Sequence, residues 1–92
     1  MPIVDTDIDR ILALLEKHHQ RATYGALAGL VGRLPRSVMQ GRKKCPRDSW
    51  IVSATTGLPT DYSPSQIHPE LERNPRVLTT SEDLAAWLRR HS

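Results

Sequence analysis

Arg33, Arg36, Arg42, Lys43, Lys44 and Arg47 fall close together in this chain, and no acid interrupts them until Asp48. Ser37 and Gln40, whose side chains can bond bases or phosphates, lie among them. A cationic stretch on one helix is by default a solvated face. Here the cations lie on and just after the second helix of a helix-turn-helix pattern, so the expected target is the phosphate backbone of duplex DNA.

Nucleophilic chemistry has one candidate, Cys45, the only cysteine. Lys43, Lys44 and Arg47 beside it favour the thiolate. A catalytic thiol also needs a base within hydrogen-bond reach, and His18 and His68 lie on segments with no reason to meet it. No catalytic constellation is therefore expected, and a thiol-based sensor at Cys45 is the weakest alternative. The four histidines and one cysteine repeat no zinc-site spacing, so neither metal nor cofactor is expected. Tyr24, Trp50 and Tyr62 could line a pocket for a base, because an aromatic face stacks on any base. With only two tryptophans, two tyrosines and no phenylalanine in the chain, each is also wanted by the core. Trp87 is assigned to the core, and Trp50 is left between the two roles.

The elements that position these residues follow from periodicity and caps. From Asp5 to about His19, Ile8, Ile11, Leu12, Leu14 and Leu15 recur at helical spacing, with Ile8, Ile11 and Leu15 facing the core and Arg10 and Lys17 facing water. Asp5 or Thr6 can cap this helix. Gln20 to Thr23 reads as a short polar link. Thr23 then caps a helix from Tyr24 to about Val31 that stops at Gly32, and Pro35 opens a third helix to about Gly41 or Lys43. Ala26, Ala28 and Gly29 are small enough for close helix packing. Trp50 to Ser53 is β-prone and is followed by turn residues, which predicts a small wing or hairpin over about 50–60. A short helix within Asp61 to Glu72, capped by Ser63 with Pro64 in its first position or else starting at Ser65, a second short strand at Arg76 to Leu78, and a closing helix over about 81–91 with Leu84, Trp87 and Leu88 inward complete the reading.

Ninety-two residues are enough for a single domain with a small core. The fold class expected is mainly α with a small β element, a winged-helix-like helix-turn-helix domain with the helix pair over about 24–43. The net charge is +3 and unevenly spread, with an acidic first helix and a basic middle. One cysteine allows no internal disulfide, and no apolar run reaches the length of a signal core or a membrane span, so a cytoplasmic location with no membrane contact is expected.

Thr23-Tyr24-Gly25-Ala26-Leu27-Ala28, followed by Gly32 and Pro35-Arg36-Ser37-Val38, resembles the DNA-binding domain of the alkylguanine-DNA alkyltransferases and the alkyltransferase-like proteins. The resemblance covers Ile8 to about Tyr62. It implies that Tyr24 presses on the phosphate beside a flipped nucleotide and that Arg36 fills the space left in the stack, offsetting part of the few kcal/mol that flipping costs. The family's acceptor motif is Pro-Cys-His-Arg-Val. The equivalent stretch here, Arg47 to Val52, has neither Cys nor His in place, which excludes alkyl transfer to a cysteine and leaves Trp50 as a counterpart of the tryptophan of the non-enzymatic branch. Met39 and Gln40 stand where the family has small residues, so major-groove placement with Arg36 and Gln40 reading base edges stays open beside minor-groove entry.

The function expected is thus a non-enzymatic, DNA-repair type of protein that binds double-stranded DNA and senses a modified or distorted base. Its contacts would come from Tyr24, Arg33, Arg36, Ser37, Gln40, Arg42, Lys43, Lys44 and Arg47. The alternatives are a module that docks an acidic protein partner and a conventional helix-turn-helix transcriptional regulator.

Overall fold

The computed structural model describes residues 5–35, 37–39, 41, 42 and 44–91, with side chains from residue 8 onward. Helix α1 spans Asp5–His18. Its residues Ile8, Ile11, Leu12 and Leu15 form a stripe at i, i+3, i+4 and i+7 and are all buried, while Arg10 and Lys17 are exposed. The helix ends where His19 takes a left-handed backbone (φ 51°) and the Gln20 N–H returns to the Leu15 carbonyl at 2.9 Å.

The expected link over Gln20 to Thr23 is instead the centre of the sheet. Strand β1, Arg21–Thr23, lies between β2, Ile51–Val52, and β3, Val77–Leu78, and pairs with both in parallel. Ala22 pairs with Ile51 on one side and Leu78 on the other. All three residues of β1 are buried, so the strand shows none of the alternation that marks a half-exposed strand. Among the described residues there is no antiparallel hairpin over 50–60. A tight loop there is closed by Gly57 N–H to the Ser53 carbonyl at 2.8 Å and Ser53 N–H to the Leu58 carbonyl at 3.0 Å. Among the described residues the architecture is a small mixed α/β fold with three helices and a three-stranded parallel sheet; β2 and β3 fall where short strands were expected, and β1 is the strand that was not.

Helix α2, Tyr24–Val31, begins and ends as its sequence dictates. Thr23 Oγ1 accepts from the Ala26 N–H at 3.0 Å, and Gly32 (φ 74°) closes the last turn on the Ala28 carbonyl. The expected third helix is not assigned among the described residues. The chain makes one turn, in which the Ser37 and Val38 N–H groups both reach the Leu34 carbonyl at 3.0 Å. Gly41 then adopts φ 81°, a conformation through which a right-handed helix cannot pass.

Helix α3, Ser81–His91, packs Leu84 and Trp87 into the core and half-buries Leu88. It comes close to α2 at Gly29, where an added Cβ would lie 3.0 Å from the Ser81 Cβ. The small residue expected to bring the two helices of a helix-turn-helix together thus seats the C-terminal helix. No described helix is long and apolar enough to cross a membrane.

Candidate nucleic-acid interface

Tyr24, the first residue of α2, points across the chain to the segment 60–62, and its Oη accepts the Thr60 N–H at 3.0 Å. That contact leaves the phenolic proton of Tyr24 available to an incoming acceptor. Around it opens a cleft of about 640 Å³, walled by Tyr24, Pro35, Met39 and Tyr62 and edged by Arg42, Lys44 and Asp61. The Lys44 ammonium stands 6.0 Å from the centre of the Tyr62 ring, at the outer edge of cation–π range. Burial, followed by the charges of Asp48 and Tyr24, pushes the Tyr62 phenol up to about 12, so it stays protonated at any physiological pH and serves as a wall and a donor.

Of the aromatic trio assigned to a base pocket, Tyr24 and Tyr62 meet at this cleft and Trp50 does not. Trp50 is fully buried in the core, stacked on His19 (ring centroids 5.6 Å apart, planes 3° apart) and 4.9 Å from the His68 ring. The short turn Asp48–Trp50 that leads into β2 turns the indole inward, and the shortage of large aromatics in the chain gives the core the stronger claim on it. The other histidines gather elsewhere too: His18 and His91 pack on Trp87. No histidine lines the cleft.

The cations sort into distinct roles. Arg42 and Arg47 close a square with two aspartates. The Nε of Arg42 donates to Asp48 Oδ2 at 2.9 Å and the Nε of Arg47 to Asp48 Oδ1 at 3.3 Å. The Nη2 groups of both arginines converge on a single oxygen, Asp9 Oδ1, that of Arg47 at 2.8 Å. The hydrogen bond from Arg42, then the charges of both arginines acting against a desolvation cost, hold the Asp9 carboxyl below its ordinary range. In the free protein these two arginines are therefore neutralised, where the sequence presented them as open phosphate ligands. Arg33 and Lys44 are exposed, and Ser37 is held in its turn by donating Oγ–H to the Leu34 carbonyl at 3.2 Å. Arg36, Gln40 and Lys43 lie outside the described residues. Cys45 is a half-buried free thiol beside the cleft loop.

Sequence reasoning missed Asp9, Asp61 and Thr60 as parts of this region, and named Met39 only as a departure from the family's small residues. In the sequence Asp9 is only one acid of the acidic first helix, and its partners lie more than thirty residues away, which no local pattern reports. Asp48 was visible as the acid that ends the cationic run, and this could have flagged internal pairing. No protein-family model, curated protein or solved structure matches the chain.

Proposed function

We propose that this protein is a non-enzymatic DNA-binding protein of the alkyltransferase-like type, which receives an extruded or modified base in the cleft between Tyr24 and Tyr62. The observation that carries the reading is the meeting of both tyrosines with Met39 at one cleft edged by Lys44 and Arg42. Its apolar walls suit the faces of a base, and its polar edge suits a phosphate. The Thr-Tyr-Gly segment that opens α2 places Tyr24 at the cleft, in keeping with the family role suggested by the sequence. No chemistry beyond binding is assigned: Cys45 is not part of the cleft lining, and the histidines pack on the two tryptophans.

The test is binding to two duplexes, one ordinary and one carrying a modified base, each at two salt concentrations. The expected result is salt-sensitive affinity that is higher for the modified duplex and loses that preference in Tyr62→Ala. Equal affinity for both duplexes would remove the base-sensing part, and negligible binding at low salt would remove the whole reading.

A second reading, a module docking an acidic protein segment, is favoured by one separate feature. A smaller groove of about 220 Å³ between β3 and α3 has Val77, Leu78 and Trp87 along it, with Arg76 and Arg90 among its lining residues. Under that reading, Arg76→Glu with Arg90→Glu abolishes partner capture and leaves duplex binding unchanged.

A further inference from the structure

The charge square differs from an ordinary surface ion pair in how its two acids are placed. Asp48 is the inner one, its side chain 2% exposed, and it holds the Nε edge of both guanidiniums with separate oxygens. Asp9 is the outer one, its side chain 43% exposed, and it offers one oxygen to the two convergent Nη2 groups. The inner carboxylate fixes the orientation of two arginine forks, and the outer carboxylate fills the point at which they aim. Two planar forks aimed at one oxygen form an arrangement that also suits a phosphate oxygen, which is likewise an anionic acceptor and matches guanidinium geometry. The loop from Arg42 to Arg47 contains no acid of its own that could take the place of Asp9, which comes from α1.

We infer that Arg42 and Arg47 form a phosphate-binding fork for the DNA backbone that is masked in the free protein by Asp9, an internal stand-in for the phosphate. The inference rests on the DNA-binding reading above and assigns it a specific backbone contact and a competitor. Binding exchanges one half-exposed carboxylate for a backbone phosphate oxygen, while Asp48 keeps both guanidiniums in place. Because Arg42 also edges the cleft, the fork and the cleft share a residue, and a phosphate at the fork lies on the border of the proposed base site. The exchange also releases α1 from the loop, since the Asp9 contacts are the ion pairs seen between those two segments among the described residues.

The test compares Asp9→Asn with Glu82→Gln, an equal change of net charge on the exposed first turn of α3. Asp9→Asn is expected to bind duplex about fivefold tighter at low salt, because no internal carboxylate then has to leave the fork, with a salt dependence close to that of the unaltered protein, in which the same phosphate occupies the fork once bound. Glu82→Gln is expected to change neither slope nor affinity beyond the small general effect of one charge, and Asp9→Glu, which keeps the carboxylate, to behave as the unaltered protein. A reading that does not depend on the folding of a variant follows the Asp9 carboxyl carbon by NMR in the unaltered protein, which should move to a solvent-exposed shift as duplex is added. Asp9→Asn binding no tighter than Glu82→Gln, or an Asp9 carboxyl unmoved at saturation, would overturn the masked fork while leaving salt-sensitive DNA binding standing. Absence of duplex binding by every protein tested would overturn the DNA reading and the fork with it.

Discussion

Arg21 and the pair Arg42 and Arg47 show two ways in which a small fold can hold a guanidinium. Arg21, at the start of the central strand, donates Nη1 to the Gly57 carbonyl at 2.8 Å and Nη2 to the Asn74 carbonyl at 2.9 Å, and among the described residues no ion pair joins it to an acid. It thereby ties the loop after β2 and the segment before β3 to β1. Arg42 and Arg47 meet carboxylates, one buried and one half-exposed. The buried arginine is held by neutral backbone carbonyls of the two segments that flank β2 and β3. The other two are held in part by a half-exposed carboxylate, whose place another anionic acceptor can take. The difference separates a structural cation from one that a ligand can recruit, although both look alike in a list of charged residues.

The comparison predicts a graded series. Arg21→Met removes two charge-assisted hydrogen bonds and leaves two carbonyls without their donor, so a loss of about 3 kcal/mol is expected in chemical denaturation. For a domain of this size that lowers the melting temperature by more than about 10 °C. A loss below 1 kcal/mol would show that the clamp is dispensable and would erase the contrast. Arg42→Met deprives the buried Asp48 of its nearer partner and should cost about 2 kcal/mol, because an ionised carboxylate then lies buried with one half-exposed guanidinium left. Arg47→Gln, at a side chain 38% exposed, should cost less than about 1 kcal/mol after solvent screening. Reversal of the last two would mean that the outer edge of the square, and not Asp48, organises it.

Acid titration sharpens the same contrast without mutation. Asp9 has a folded pKa below its ordinary 3.8, chiefly through the hydrogen bond from Arg42. Its contribution to stability is therefore fully present above that value and is lost as pH falls through the depressed folded one. Side-chain Nε–H resonances followed from pH 5 downward should report loosening at Arg42 and Arg47 before any change at Arg21, whose acceptors are carbonyls. Simultaneous change at all three would mean that the square and the sheet melt as one unit. At milder acidity His18 adds a separate term, since burial, then the nearby charges of His91 and Lys17, lower its pKa from 6.5. The unfolded chain then binds that proton more readily, so stability declines as pH drops below about 6.5, and His18→Gln should flatten the decline.

What could be read in the sequence was whatever local chemistry determines. Helices α1, α2 and α3 and the caps at Thr23 and Gly32 follow from periodicity and short-range hydrogen bonds, and so does the turn at Ser63 and Pro64, where the Ser63 N–H bonds Gln66 Oε1 at 2.9 Å. Strand β1 was hidden because three residues buried on both faces carry no alternation and one of them is an arginine. The third helix was over-read because Pro35 is as well suited to a single turn as to a helix, and the left-handed Gly41 that stops it has no signature distinct from a helical glycine. At the candidate site, the two tyrosines and the basic loop were legible as types. Their grouping depended on a cross-chain hydrogen bond to Thr60, and the neutralisation of Arg42 and Arg47 depended on an aspartate in another element. Trp50 illustrates the same limit: its sequence position beside the basic loop pointed outward, while its size made it a core residue.

The central claim is that the cleft between Tyr24 and Tyr62 takes a base out of a duplex. It is tested most directly by the fluorescence of a duplex with a single emissive base analogue at the distorted position, titrated with the protein at low and at raised salt. The account predicts a rise in emission as the base leaves the stack, lost in Tyr62→Ala and weakened as salt screens the backbone contacts. Saturated binding with no change in emission would contradict it.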